Sequence, residues 1–234
     1  MNVVLLFETD FVGTDRVALG DVRARHIREV IRPALGDTVT VGLVDGRLGE
    51  AQVLGLGPRV ELAVILGAPP PPPLPVTLLL ALPRPKSLFR LLQLATTFGV
   101  KDIHLFNTSR VEKSFWKSRQ LHQDAMRPHL LAGLEQARDT VLPRVTLHRL
   151  FAPLVNDTLP ELVAGKACYL AHPGASPAPH GLARPTALAV GPERGFIPYE
   201  VRRLEDVGFV TIGLGDRILR TEQALPALLG AMFL

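Results

Sequence analysis

The stretch Pro69 to Pro73, with Pro75 following Leu74, constrains this chain more than any other feature. Each proline fixes φ and donates no backbone N–H, so the run fits neither a helix interior nor a central strand. It reads as a stiff, extended linker over residues 69–75. The apolar pattern differs on its two sides. The run therefore predicts a boundary between a small domain, residues 1–68, and a larger one, residues 76–234.

Before the linker, Asp21 is placed to cap a helix in which Ile27, Val30 and Ile31 have the i, i+3, i+4 spacing of a buried stripe. Pro33 stops it. Arg25, Arg28 and Arg32 repeat at helical spacing on another face. Val39, Val41 and Leu43 then alternate, Asp45-Gly46 marks a tight turn, and Val60, Leu62 and Val64 alternate again. The pattern is that of a small β-barrel or sandwich carrying one helix.

After the linker, strands and helices take turns. Val76–Leu82 is a short apolar run suited to a buried parallel strand. Ser87 is placed to cap a helix with Leu88, Leu91, Leu92, Ala95 and Phe98 on one face, ended by Gly99. Further strands are expected at Ile103–Phe106, Cys168–Ala171, Ala187–Val190 and Phe209–Leu214. Helices are expected at about Gln120–Ala137, from Pro198 to near Gly208, and from about Thr221 to the end. This is an α/β domain with a mostly parallel sheet.

Composition narrows the function. The hydrophobic fraction of 47% supports a real core, and the net charge of +4 leans only mildly toward a polyanionic partner. The single cysteine, Cys168, cannot close an internal disulfide, and no Cys/His cluster has zinc spacing, so no metal is expected. The start lacks a signal-peptide pattern, and the most apolar stretch is broken by the prolines. A cytoplasmic protein without membrane spans is the expectation.

In open α/β sheets, ligands bind beyond the carboxyl ends of the strands. Three such ends carry glycine: Leu170-Ala171-His172-Pro173-Gly174, Gly191-Pro192-Glu193-Arg194-Gly195-Phe196 and Ile212-Gly213-Leu214-Gly215-Asp216-Arg217-Ile218-Leu219-Arg220-Thr221-Glu222. Glycine there lets backbone groups approach a ligand closely. The same glycines also suit ordinary tight turns. Neither a dinucleotide fingerprint nor a Walker A loop is present. Lys113-Ser114-Phe115-Trp116-Lys117-Ser118-Arg119 interleaves basic and aromatic residues. Such a run can track phosphates and stack a base, or plug the core with its aromatics.

The segments VGPERGFIPYEV and GFVTIGLGDRILRTEQAL resemble the C-terminal signature of the RsmE family of ribosomal RNA methyltransferases, close to GPEGGF…E…LG.RILR.ETA. HIREVIRPALGDTVTVGLVDG, ALPRPKSLFRLLQLATTFGVKDI and LEQARDTVLP are similar to earlier parts of that family, so the resemblance spans nearly the whole chain. It implies a PUA-like β-barrel followed by a SPOUT domain whose C-terminal part forms a deep trefoil knot. It implies a homodimer that binds S-adenosylmethionine and methylates N3 of a uridine in 16S ribosomal RNA of the small ribosomal subunit. Residues implied for the cofactor are Leu170, His172, Val190, Gly191, Pro192, Glu193, Gly195, Ile212, Leu214, Gly215, Arg217, Ile218 and Leu219.

The chain departs from the family pattern at several places: Arg84 for lysine, Thr97 for glutamate, Ala137 for serine, Arg138 one place early, Arg194 for glycine and Gln223 for threonine. These mark a divergent member or a paralogue. Methylating N3 requires loss of the imide proton and in-line attack on the sulfonium methyl. Arg220 and Glu222 are the expected catalytic pair: Arg220 to stabilise charge on the base, Glu222 to orient it or take the proton. A structural Arg–Glu pair is the plainer alternative. Arg25, Arg28, Arg84, Arg110 and Arg194 are the expected RNA contacts. His172 reads better as a loop histidine than as a base. Two other readings remain open: a SPOUT methyltransferase with another RNA target or atom, and a non-catalytic RNA-binding or ribosome assembly factor.

Overall fold

The computed structural model describes residues 2–234. The chain forms two compact units. One holds the chain up to Pro72 together with Leu131–Leu142; the other holds Pro73–Leu130 and Pro143–Leu234. Leu131–Leu142 thus belongs with residues from the far side of the proline run.

The first unit contains β1 (Val4–Leu6), β2 (Arg16–Leu19), α1 (Val22–His26), β3 (Thr38–Leu43), β4 (Leu48–Leu56) and β5 (Val60–Ala68). The strands form one sheet in the order β1-β3-β4-β5-β2. Only β1 and β3 run parallel. Alternation sends Val39, Val41, Ala51, Val53, Val60, Leu62 and Val64 into a common core with Leu6, Val17, Leu19 and Ile27.

The helix departs from the sequence expectation. Ile27 is buried, but Val30 is 65% exposed and Ile31 39% exposed. After His26 the helix widens into a π turn over Ile27–Ile31, and the Arg32 N–H donates to the Ile27 carbonyl at 2.8 Å. A bond spanning five residues carries positions 30 and 31 off the face that a 3.6-residue period assigns them. Arg32 then turns left-handed at φ 53°, and Pro33 follows.

The charged residue that matters in this unit is Arg23, which is only 7% exposed. Its guanidinium donates from Nη1 to the Leu5 carbonyl at 2.7 Å and to Asp10 Oδ2 at 2.6 Å, and from Nη2 to Asp10 Oδ1 at 2.8 Å. Asp21 accepts from Nη2 at 2.6 Å while capping α1 through the Arg23 N–H. The hydrogen bond from Arg23 holds the Asp21 carboxyl below its ordinary range. Removing the cation leaves Asp10 half-desolvated and unpaired, the costly way to break a buried pair. Arg23→Met is expected to lower the unfolding free energy by about 3 kcal/mol in urea melts.

The second unit contains β6 (Val76–Ala81), α2 (Pro85–Thr97), β7 (Asp102–Phe106), the start of α3 (Gln123–Ala137), β8 (Arg144–His148), α4 (Phe151–Pro153), α5 (Leu159–Leu162), β9 (Ala167–Ala171), β10 (Thr186–Val190), α6 (Pro198–Glu205), β11 (Val210–Ile212) and α7 (Thr221–Phe233). Its sheet runs β11-β9-β10-β6-β7-β8, every pair parallel. All six residues of β6 and all five of β10 are buried, as strands covered on both faces must be. Helix α2 begins at Pro85, with Arg84 as its cap, rather than at Ser87. A first-turn proline loses no helical bond and has its φ already set. Strand β8, not foreseen, is an edge strand with four half-buried residues, so its sequence lacks a sharp inside–outside alternation. Among the described residues no helix is long and apolar enough to cross a membrane.

A polar chain crosses the sheet from the start of β9 to the last residue of β8. Lys166 Nζ donates to Thr77 Oγ1 at 2.6 Å, and Thr77 Oγ1 donates to Asp102 Oδ2 at 3.1 Å. Asp102 Oδ1 lies 3.1 Å from His104 Nε2, and His104 Nδ1 lies 2.8 Å from His148 Nε2. With Nε2–H donating to Asp102, a neutral His104 accepts through Nδ1 from His148. The His104 contact lowers the Asp102 pKa, and burial followed by the neighbouring His104 lowers that of His148 from its ordinary 6.5. The sign follows from linkage. The folded protein resists protonating His148, so stability is complete above pH 6.5 and falls as the unfolded chain takes up the proton below it. Asp102 adds a further loss at lower pH, through its own depressed value. A His148→Gln variant keeps an N–H for His104 but cannot be protonated. Its stability is expected to decline less than that of the native protein between roughly pH 6.5 and 5, as read from urea melts across that range.

Candidate active site

Parallel pairing puts the carboxyl ends of the strands along one edge of the sheet, and the glycine-rich loops emerge there together. Ala171–Pro173 complete and follow β9, Val190–Phe196 complete and follow β10, and Ile212–Gly215 with Arg217–Leu219 complete and follow β11. With Arg110 from the loop after β7, and Thr221, Ala224 and Leu228 from α7, they line a cavity of about 450 Å³. That volume lies in the range of small-molecule sites. Val190, Ile212, Leu214, Leu219 and Leu228 supply apolar wall. Arg110, Arg194, Arg217 and Glu193 supply charge, three cations against one anion.

The local sequence explains the loop shapes. His172 N–H donates to the Ile212 carbonyl, Gly213 N–H to Ser176 and Ala178 N–H to Gly213, so the loop after β9 wraps the end of β11. A Cβ on Gly213 would stand 2.8 Å from the Ala175 carbonyl oxygen and 3.2 Å from that of His172. Only glycine lets those backbones meet. In the loop after β10, Gly195 adopts φ +69°, closing a turn in which its N–H donates to the Pro192 carbonyl at 2.7 Å.

Of the residues expected around a cofactor, His172, Val190, Gly191, Pro192, Glu193, Gly195, Ile212, Leu214, Gly215, Arg217, Ile218 and Leu219 all line this cavity. Leu170 is fully buried in β9, one residue short of the lining. Ile218, though in the lining, is 85% exposed. His172 Nδ1 lies 2.9 Å from the Pro173 carbonyl, the contact of a loop-shaping residue.

The arginines expected on the substrate side divide. Arg110 and Arg194 line the cavity. Arg84 stands behind it: its N–H donates to Glu193 Oε1 at 3.2 Å, and its Nε lies 3.9 Å from the same oxygen. Arg25 is exposed and Arg28 half-buried in the first unit, where Arg28 donates to the Gly57 carbonyl at 2.9 Å. Arg220 and Glu222 flank the lining residue Thr221. Arg220 is exposed at the start of α7, and Glu222 lies 3.9 Å from Arg90 of α2.

The basic–aromatic run resolves toward packing. Trp116 is 8% exposed, and its Nε1 donates to Asn107 Oδ1 at 2.8 Å. The Arg149 guanidinium sits 5.4 Å from its ring centroid. That ring is not available to stack a base. Phe196 and Gly213 lie in the strand-end loops that the sequence singled out but were not among the residues expected around a cofactor. Sequence reasoning missed Glu200, 1% exposed, which accepts from the N–H groups of Ser109 and Ile197. Its place at the third position of a helix that opens with proline was the readable signal.

The family model for the RNA methyltransferase domain matches residues 70–233. The ribosomal RNA small subunit methyltransferase E of Treponema pallidum is 29% identical over 235 residues, covering 96% of this chain and 87% of that protein. Its Mycobacterium bovis counterpart is 29% identical over 248 residues, covering 98% and 91%. The crystal structure of the Neisseria gonorrhoeae methyltransferase E bound to S-adenosyl methionine superposes with a TM-score of 0.70 at 21% identity, covering 98% of this chain and 96% of that one. A Legionella pneumophila protein solved with bound SAM gives 0.72 at 19% identity, covering the same shares. The α/β fold is therefore shared with these structures.

Because Gly213 sits where no Cβ fits, Gly213→Ala is expected to displace the loop after β9 and cost about 1–3 kcal/mol, visible as a lowered thermal midpoint.

A family match over well over half its length, on a fold whose glycine-rich strand ends close around one cavity, makes this chain a member of the RNA methyltransferase domain family, of the RsmE type.

Proposed function

We propose that this chain is an S-adenosylmethionine-dependent methyltransferase acting on N3 of a uridine in 16S ribosomal RNA. The observation that carries the reading is the cavity itself, walled by the three strand-end loops in which twelve of the thirteen expected cofactor residues meet. The fit is chemical as well as spatial. An apolar wall suits an adenine, close-approaching glycine backbone suits its polar edge, and arginines suit a carboxylate. Bound there, S-adenosylmethionine supplies an electrophilic methyl on a sulfonium.

The chain's own residues then have definable tasks. Arg110 and Arg194, with Arg84 behind them, hold the RNA and its target base against the cavity. Arg220 stabilises the charge that spreads onto the base oxygens when the N3 proton leaves, and Glu222 is the acidic group of that step. Arg25 and Arg28 contact RNA phosphates from the first unit, which we read as PUA-like. The second unit is read as a SPOUT domain with a deep trefoil knot; the bonds by which 172–178 encircle Gly213 support that reading. We assign the enzyme to the cytoplasm, acting on small-subunit RNA as a homodimer; Ile218, apolar and exposed beside the cavity, is surface a second copy would cover. Arg194 in the wall, where the RsmE pattern has glycine, favours a second reading with the same chemistry on a different RNA target or atom.

Calorimetric titration with S-adenosylmethionine tests the core of the proposal. Saturable micromolar binding is expected, with unfolding free energy raised by about 2.7 kcal/mol at a hundredfold excess over Kd. Incubation with small-subunit RNA is then expected to leave a reverse-transcription stop, since an N3 methyl blocks base pairing. Absence of cofactor binding by the folded protein would overturn the enzyme reading in favour of an RNA-binding factor.

A further inference from the structure

Glu200 occupies the third position of α6 and is 1% exposed. Its Oε2 accepts from the Ile197 N–H at 3.0 Å, the ordinary contact of a helix start. Its Oε1 does something a cap does not require. It accepts at 2.6 Å from the Ser109 N–H, 91 residues away in the loop after β7. The next residue, Arg110, donates from Nη1 to the Arg194 carbonyl in the loop after β10. The two loops are thus tied twice, in opposite senses. A carboxylate from the β10 side takes an N–H of the β7 loop, and a guanidinium from the β7 side takes a carbonyl of the β10 loop.

Capping alone is done well by exposed side chains, so neither the burial nor the distant partner is explained by it. A buried carboxylate persists only when its lone pairs are satisfied, and here the satisfying groups are the backbones of two cavity loops. The span they hold is the corner Glu193–Arg194–Gly195, which forms cavity wall. Within the corner, the Gly195 N–H donates to the Pro192 carbonyl and the Glu193 side chain accepts from the Arg84 N–H. Neither of those bonds reaches the β7 loop, so the two ties are what set the corner against Arg110.

We propose that Glu200 and Arg110 form a positioning latch that fixes the Glu193–Gly195 corner against the β7 loop, so that the target base meets a wall of set geometry. The inference rests on the methyltransferase reading and deepens it. Arg110 spends one of its five N–H donors on the latch and keeps the others for the cavity.

The test uses the full chain with purified small-subunit RNA. Glu200→Gln preserves shape but turns an NH2 toward one of the two backbone N–H groups. Arg110→Gln removes the opposing tie from an exposed position. Thermal midpoint, S-adenosylmethionine affinity and single-turnover methylation at saturating RNA are measured for each variant and for the double variant. The cofactor Kd of Glu200→Gln is expected to stay within about threefold of the native value while the single-turnover rate of each variant falls roughly ten- to a hundredfold, the scale of a small misplacement of reacting groups. The double variant is expected to be no slower than about the worse single one, since both act through one device. A Glu200→Gln protein that melts earlier yet transfers methyl at the native rate where it is folded would reduce Glu200 to a structural cap and overturn the proposal. So would losses that multiply in the double variant. If Glu200→Gln does not fold, Arg110→Gln decides alone, a native rate counting against the latch. A native protein that methylates nothing strikes the methyltransferase reading; an active native protein with unaffected variants strikes only the latch.

Discussion

The insertion of β10 between β9 and β6 is the constraint on which the methyltransferase half of this chain depends. Thr186–Val190 pair with Val76–Leu80 on one side and Ala167–Leu170 on the other, both parallel. The partners on the β6 side lie more than a hundred residues away in sequence. Parallel pairing over such a span must be secured by burial, because nothing local holds it. Leu78, Leu79, Leu80, Ala187, Leu188 and Ala189 are each at most 1% exposed, and each buried leucine contributes about 1.5–3 kcal/mol of transfer free energy. Once that register is set, the ends of β9, β10 and β11 have no choice but to open on the same edge. The cavity is a consequence of strand order before it is a consequence of any side chain.

The sheet carries two kinds of polar chemistry. Away from the cavity lining, Lys166, Thr77, Asp102, His104 and His148 satisfy one another in a continuous chain that runs from the starts of β9, β6 and β7 to the last residue of β8. At the strand ends, glycine loops and arginines line an open cavity. A buried network whose members are paired rigidifies what surrounds it. Loops with close backbone contacts but few side-chain locks can accept a ligand. Between them, β6, β7, β9 and β10 carry rigidity to the place where positioning is needed.

What the sequence disclosed follows the same division. Runs such as Val76–Leu82 and the glycine-ended helix before Gly99 were legible because burial on both faces and left-handed caps impose residue types locally. The three strand-end loops were legible for the same reason, and the motif resemblance gave their joint purpose. Trp116 could equally have stacked a base or plugged the core, since composition does not report direction. The helix after Asp21 misled because a π turn breaks the period by which a buried stripe is recognised; Val30 and Ile31 are exposed as a result. Arg23 and the His104–His148 pair were invisible as sites, and of Glu200 only its place in the signature and at the helix start was legible. Each takes its meaning from a partner at least thirteen residues distant, and single-chain patterning contains no such information.

The charge of the cavity wall ties the fold to the chemistry more closely than the net charge of the chain. A total of +4 spread over 234 residues says little. Three arginines facing one glutamate around a cavity of about 450 Å³ say more, because cations gathered in a concave, partly apolar site reinforce one another's field. A uracil that has lost its N3 proton carries its negative charge on a ring of oxygens and nitrogen, and RNA brings phosphate charge beside it. A wall of that charge suits a polyanion, and Glu193, held by the N–H of Arg84, keeps one acceptor in place. The Arg194 side chain adds to that field at a position where glycine would add nothing.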